Sequence, residues 1–331
     1  ECKRQFYGAT YLLDQIGDKL GIVDDLKASF PDRYKQLLSL AYFFVLEEGM
    51  SAYRLRKWAL THKHPYGRDI PSQRISDLMG SIDEASKMNF FRRQAKRRAE
   101  KEYLAFDTTS ISSYSELIKL AKYGKNKEGD HLPQVNLALL YGEVSRLPVY
   151  FRKLTGNTAD VSLIRNLMLD IDFLDMKKLS FVMGRGFYSE KNINDLMKRH
   201  HKFLIGIRCG LKIARKHLDE IRGEKMISWE NYHDDVGLYA MSFTDEWDYR
   251  EEQPRTGKCI CDKRRVYVHI YFNDQRCTDE RLSFARYLTC LQDELKSGRK
   301  TDGHMKDYDK YFIVTETPKR GLHIVPKGDA I

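Results

Sequence analysis

Between residues 10 and 60, apolar side chains recur at three- and four-residue spacing. Leu12, Leu13, Ile16, Leu20, Ile22 and Val23 form one stripe, and Leu37, Leu38, Leu40, Ala41, Phe44 and Val45 form a second. That periodicity belongs to helices buried on one face. Pro31 suits the first turn of the second helix, where a missing N–H costs nothing, and Gly49 suits its end. Ser51 is placed to cap a third helix over 52–60, and 71–78 reads as another short helix. After residue 100 the pattern changes. Short apolar runs at 103–107, 134–142 and 148–156 read as strands, with Arg146, Leu147 and Pro148 between the last two as in a hairpin connection. A helix from 161 to about 174, a strand at 179–183, a helix at 190–199 and a strand at 202–207 follow. The order β-β-β-α-β-α-β predicts a mixed α/β sheet with helices packed on it.

The remaining third is less regular. A strand is expected at 264–272, a long helix at 278–298 and a strand at 309–314. Four segments result: a helical domain over 1–86, a basic connecting helix over 87–100, the sheet over 101–208 and a further region over 209–331. No run approaches the roughly 18 apolar residues of a membrane span, and the first residues lack a signal peptide's apolar stretch. A soluble cytoplasmic protein is expected. Hydrophobic residues make up 42% of the chain and charged ones 31%, enough for a packed core.

Charge narrows the class of partner. Lys and Arg number 57 against 47 Asp and Glu, a net of +10. That balance points to a polyanion, and nucleic acid is the commonest. The basic residues concentrate at 87–98, where Lys87, Arg92, Arg93, Lys96, Arg97 and Arg98 occur without one acid. Such a helix can neutralise successive phosphates. A solvated helix face is the competing reading.

Asp107, followed by Thr108, Thr109 and Ser110, closes the first apolar run of the sheet region. A carboxylate there can hold a hard cation such as magnesium, or bond the next backbone amides as a turn residue does. The six cysteines are too few for a disulfide framework. Cys259 and Cys261, followed by Cys277 and Cys290, raise a zinc reading, but structural zinc prefers two to four residues between paired cysteines. Neither a Gly-rich phosphate loop nor a His-Glu-x-x-His zinc helix occurs in the sequence.

Three segments together resemble the DDE transposases of insertion sequences, in particular the IS-four group, with their ribonuclease-H-like core. They are Tyr-Leu-Ala-Phe-Asp-Thr-Thr-Ser at 103–110, Thr-Gly-Asn-Thr-Ala-Asp at 155–160 and Phe-Val-Met-Gly-Arg-Gly-Phe-Tyr-Ser at 181–189. The resemblance implies a ribonuclease-H-like mixed sheet, an N-terminal helical DNA-binding domain and a mainly β insertion after residue 208. It also implies double-stranded DNA at element ends as partner, a homodimer, and a nucleoid-associated location in a prokaryote. In that family three carboxylates hold two Mg2+ or Mn2+ ions that drive in-line displacement at phosphorus. Asp107 corresponds to the first carboxylate, and Arg185 lies beside the second, placed to hold a phosphate.

The family motif Asp-Arg-Gly-Phe reads Gly184-Arg185-Gly186-Phe187 here. Glycine cannot ligate a metal. The third carboxylate's pattern, Tyr, two residues, Arg, three residues, Glu, six residues, Lys, begins at none of the tyrosines. The expectation is therefore a truncated transposase chain without catalytic activity, or else a DNA-binding remnant. Asp160, Asp170, Asp172 and Asp175 are the acids nearest in sequence that could substitute. Asp160 is expected instead to cap the helix that follows it, and Gly186 to supply a turn conformation closed to other residues.

Overall fold

The computed structural model describes residues 4–98, 102–124, 131–223, 225–252, 259–317 and 321–330. It divides into two compact units, one of residues 1–208 with 249–262, the other of residues 209–248 with 263–331. The second unit holds 19 Lys and Arg against 19 Asp and Glu, so the whole net charge of +10 belongs to the first. Among the described residues no helix is long and apolar enough to cross a membrane.

The first unit opens with helices α1 (Gly8–Lys19), α2 (Ile22–Ser29), α3 (Tyr34–Leu46), α4 (Leu55–Thr61) and α5 (Ser72–Gly80). Leu38, Tyr42, Phe43, Leu55, Trp58 and Ile75 close their shared core. The expected first stripe is broken at Gly21, whose φ of +71° separates α1 from α2. A Cβ there would also meet the Arg97 guanidinium at 2.5 Å, so glycine is needed for conformation and space together. Leu12 and Ile16 consequently stay exposed. Pro31 lies in the turn before α3 rather than in its first turn. Ser51 makes no side-chain cap; its residue leads into a single 3-10 turn that runs on as α4.

Helix α6 (Glu84–Arg98) follows and is fastened on two sides. Met88, Phe91 and Ala95 enter the core of the sheet, while Gln94, Arg97 and Arg98 reach back to α1 and α2. Five strands come next: β1 (Tyr103–Ser112), β2 (Gln134–Gly142), β3 (Pro148–Thr155), then, after α7 (Leu163–Phe173), β4 (Ser180–Met183) and, after α8 (Glu190–Lys198), β5 (Lys202–Ile205). Their spatial order is β3-β2-β1-β4-β5. The first three are antiparallel neighbours, whereas β4 and β5 run parallel to β1. This is the expected ribonuclease-H-like mixed sheet. One face is sealed by α6, α7 and α8 through Leu104, Phe106, Leu140, Ile164, Ile171, Phe181 and Leu196, all buried.

The second unit contains α9 (Lys212–Ile221), β6 (Tyr232–His233), parts of β7 (Leu238–Glu252) and β8 (Cys259–Phe272), α10 (Asp274–Ser297), α11 (Met305–Tyr311), β9 (Phe312–Thr317) and β10 (Gly321–Pro326). Asn273 caps α10 by accepting from the Arg276 amide, and Gly298 closes it in the left-handed conformation. The unit's core is Leu291, Leu295, Tyr308, Tyr311 and Phe312.

Candidate functional site

Asp107 lies within β1, not at its end: the strand continues to Ser112. The apolar run stops there because pairing with β4 stops there. Phe106 is opposite Met183 in parallel register, the last pair between the two strands, and Asp107 and Gly184 are the residues that follow them. Beyond that point β1 pairs only with β2 and carries polar residues at every position except Ile111. Alternation along the strand places Asp107 on the exposed face and Thr108 on the buried one. The Asp107 carboxylate accepts from the Thr108 amide at 2.8 Å.

Gly184 follows β4 with φ −71° and ψ 167°, an extended backbone open to any residue. A Cβ at this position would meet no atom within 4 Å. The turn that follows, Arg185–Phe187, is held against β1 by Phe187, whose ring centroid is 4.9 Å from that of Phe106. Ser189 then caps α8 by accepting from the Asn192 amide, and the Asn192 side chain donates to the carbonyls of Val161 and Phe187. The segment 181–189 is thus a strand end, a tight turn and a helix cap in sequence. Arg185 is exposed on that turn, one residue from Gly184.

The segment 155–160 brings a further acid against the 185–187 turn and Thr108. Gly156 is pressed against β2 so closely that a Cβ would lie 2.0 Å from the Gln134 carbonyl oxygen. Its own carbonyl accepts from Gln134 Nε2 and Asn136 Nδ2. Thr155 and Thr158 share a hydroxyl hydrogen bond of 2.8 Å. The knot delivers Asp160, which accepts from Thr108 Oγ1 at 2.8 Å. Asp160 makes no helix cap: α7 begins at Leu163 after Ser162, without a capping side chain. Gly186 is explained by the same acid. It does not have a positive φ; its missing Cβ would stand 2.9 Å from Asp160 Oδ2. Sequence reasoning missed this close approach, although the paired motifs at 155–160 and 184–187 were its signal.

The other nearby acids are engaged elsewhere. Asp170 accepts from Arg152 at 2.7 Å through both oxygens. Asp172 pairs with Arg199, and Asp175 with Lys177. Asp160 itself is reached from the Thr108 side of the sheet, away from the face that Asp107 points to. Among the described residues no three His, Cys, Asp or Glu side chains converge on one point that could hold a metal ion. A pair of Mg2+ or Mn2+ ions needs several bridging oxygens. One aspartate near an open glycine does not fit that pair.

In the basic helix the cations divide by role. Arg97 donates to both oxygens of the buried Asp25 at 2.8 and 2.9 Å, which raises its already high pKa. Gln94 donates to the same carboxylate. Arg98 reaches the Gln94 side chain and the Leu20 carbonyl, and burial pulls its pKa down. Arg92 donates to the Phe173 carbonyl and lies over the Phe173 ring. Lys87 pairs with Glu84. Arg93 and Lys96 are exposed on the solvent side of the helix.

The sequence from residue 98 to 280, more than half of the chain, matches the Transposase DDE domain family. No curated protein matches the chain in sequence. Among solved structures, a piggyBac transposase synaptic complex with hairpin DNA is similar at 15% identity and a TM-score of 0.32, over 75% of this chain and 51% of that one. A Mos1 transposase paired-end complex with the left transposon end is similar at 12% identity and a TM-score of 0.25, over 60% of this chain and 69% of that one. The chain thus spans about half the length of the piggyBac chain. These likenesses are loose, so the assignment rests on the sequence match together with the strand order. This chain belongs to the Transposase DDE domain family.

Proposed function

We propose that the protein is a DNA transposase of the DDE type, of the IS-four-like group, whose own chain does not carry out strand transfer. The observation that carries this reading is Gly184, which follows the last residue of β4 as Asp107 follows that residue's partner on β1, with no side chain where the family has its second aspartate. With the second carboxylate gone the set that would hold the two cations is incomplete, so displacement at phosphorus would lose both activation of the nucleophile and Lewis-acid stabilisation of the leaving oxygen.

DNA binding survives the loss, because it depends on charge and shape rather than on metal ligands. The positive balance of the first unit and the exposed Arg93, Lys96 and Arg185 support double-stranded DNA as partner. A chain that grips element ends without cutting them would compete with an intact transposase, as a dimer on paired ends and at the nucleoid of its host.

The test is a strand-transfer assay on the purified chain with duplex element ends, in Mg2+ and in Mn2+. No joined product is expected from the chain as it stands. Product formation that disappears on Asp107→Ala would refute the inactivity. Duplex binding no stronger than that of an unrelated protein of equal charge would refute the DNA-binding part.

A further inference from the structure

We propose that Cys259 and Cys261, at the start of β8, form a bidentate thiolate site for a zinc-class cation. Spacing alone argues against zinc, because one intervening residue is too few for the turn that usually presents two cysteines. The structure removes that objection. In an extended strand, residues two apart point to the same side. The two Sγ atoms stand 3.6 Å apart, and both side chains are exposed.

The separation selects among thiol chemistries. Zinc bound tetrahedrally at about 2.3 Å from each sulfur spans an S···S edge of about 3.8 Å. The observed pair is within a few tenths of an ångström of that edge. A disulfide would need the sulfurs to close to about 2.05 Å, between Cα atoms that an extended strand sets about 6.6 Å apart, near the upper limit of disulfide geometry. A bridging ion fits the strand as it is, and a covalent bond does not.

The strand beside the site is anchored. Tyr249 of β7 is buried and its hydroxyl donates to Glu251, which also pairs with Lys198 of α8 at 2.7 Å. The donors are therefore presented by a held hairpin. Binding replaces the S–H protons by the cation, so each cysteine pair releases two protons and affinity rises with pH. The other two tetrahedral positions are filled by water, or by the same pair from a second copy of this chain around a twofold axis. The proposal is independent of the transposase reading.

Cadmium is the probe, because thiolate-to-cadmium charge transfer gives an ultraviolet band. The reduced full-length chain is titrated with Cd2+, and proton release is followed in weak buffer. The expected result is a saturable band with two protons released per chain. It should be lost in Cys259→Ser and in Cys261→Ser, and kept in Cys209→Ser, Cys277→Ser and Cys290→Ser. Saturation at one ion per chain, with the chain's size unchanged, identifies water as the remaining ligands. Saturation at one ion per two chains, with dimer formation, identifies a second copy. A missing band, a band without proton release, or one that persists in Cys261→Ser overturns the site.

Discussion

Replacing Arg97 by Met separates the cations that hold the fold from those that meet DNA. Asp25 is 1% exposed and receives two hydrogen bonds from Arg97. Charged hydrogen bonds contribute about 1.5–3 kcal/mol each, and breaking a buried ion pair from one side costs about 3–5 kcal/mol. Two features reduce that figure here. The Arg97 side chain is 42% exposed, so water can reach part of the vacated carboxylate, and Gln94 still donates to it. A loss of about 2 kcal/mol is the expected outcome, close to the lower end. The assay is urea unfolding followed by Trp58 fluorescence, in a Trp229→Phe, Trp247→Phe background so that only the helical core reports. In parallel, Arg93→Ala with Lys96→Ala should leave stability within about 0.5 kcal/mol. That double change should reduce the slope of log binding constant against log salt by about 0.9 for each phosphate that is no longer neutralised. If Arg97→Met leaves the urea midpoint in place and lowers the salt slope instead, the division of roles is wrong.

Gly186→Ala should destabilise the sheet region by about 1–3 kcal/mol, since the new methyl meets Asp160 Oδ2 at 2.9 Å and the knot behind that acid is tight. Gly184→Ala, with open space and an ordinary backbone, should be neutral in the same thermal melt; equal effects of the two would refute the steric account. In the second unit, hydrogen bonds from Tyr308 and His304 hold Glu294 at about 2. Its ordinary value lies near 4. A lowered folded-state pKa gives stability that is present above about pH 4 and is lost as pH falls towards 2. Glu294→Gln should therefore flatten the acid limb of unfolding over that window, and an unchanged limb would show that Glu294 does not govern it.

The order of strands and helices in the sheet was legible because period-2 and period-3.6 patterns do not overlap there. The helical region was less so: the stripe running through Leu20 and Ile22 hides a break that only the approach of Arg97 to Gly21 explains. Asp107 was legible as a candidate, but not its place within β1, because Thr108 and Ser110 are polar residues on the buried face. The partner of Thr108 comes from elsewhere in the chain: Asp160, 52 residues on, accepts from it. The basic block was legible as charge, while the destination of each side chain was not. A run of arginines looks the same whether its guanidinium groups face water or a carboxylate some 70 residues away, as Arg97 faces Asp25.

A helix clamped along both flanks has no hinge. Because α6 is keyed into the sheet by Met88, Phe91 and Ala95 and locked to α1 and α2 by Arg97 and Arg98, the N-terminal helices and the strand bearing Asp107 must turn together as one lever. A duplex seated on Arg93 and Lys96 would bear on the sheet through β3, where Phe91 packs on Tyr150 and Phe151. Any freedom to bring a second stretch of DNA into line has to come from outside that junction.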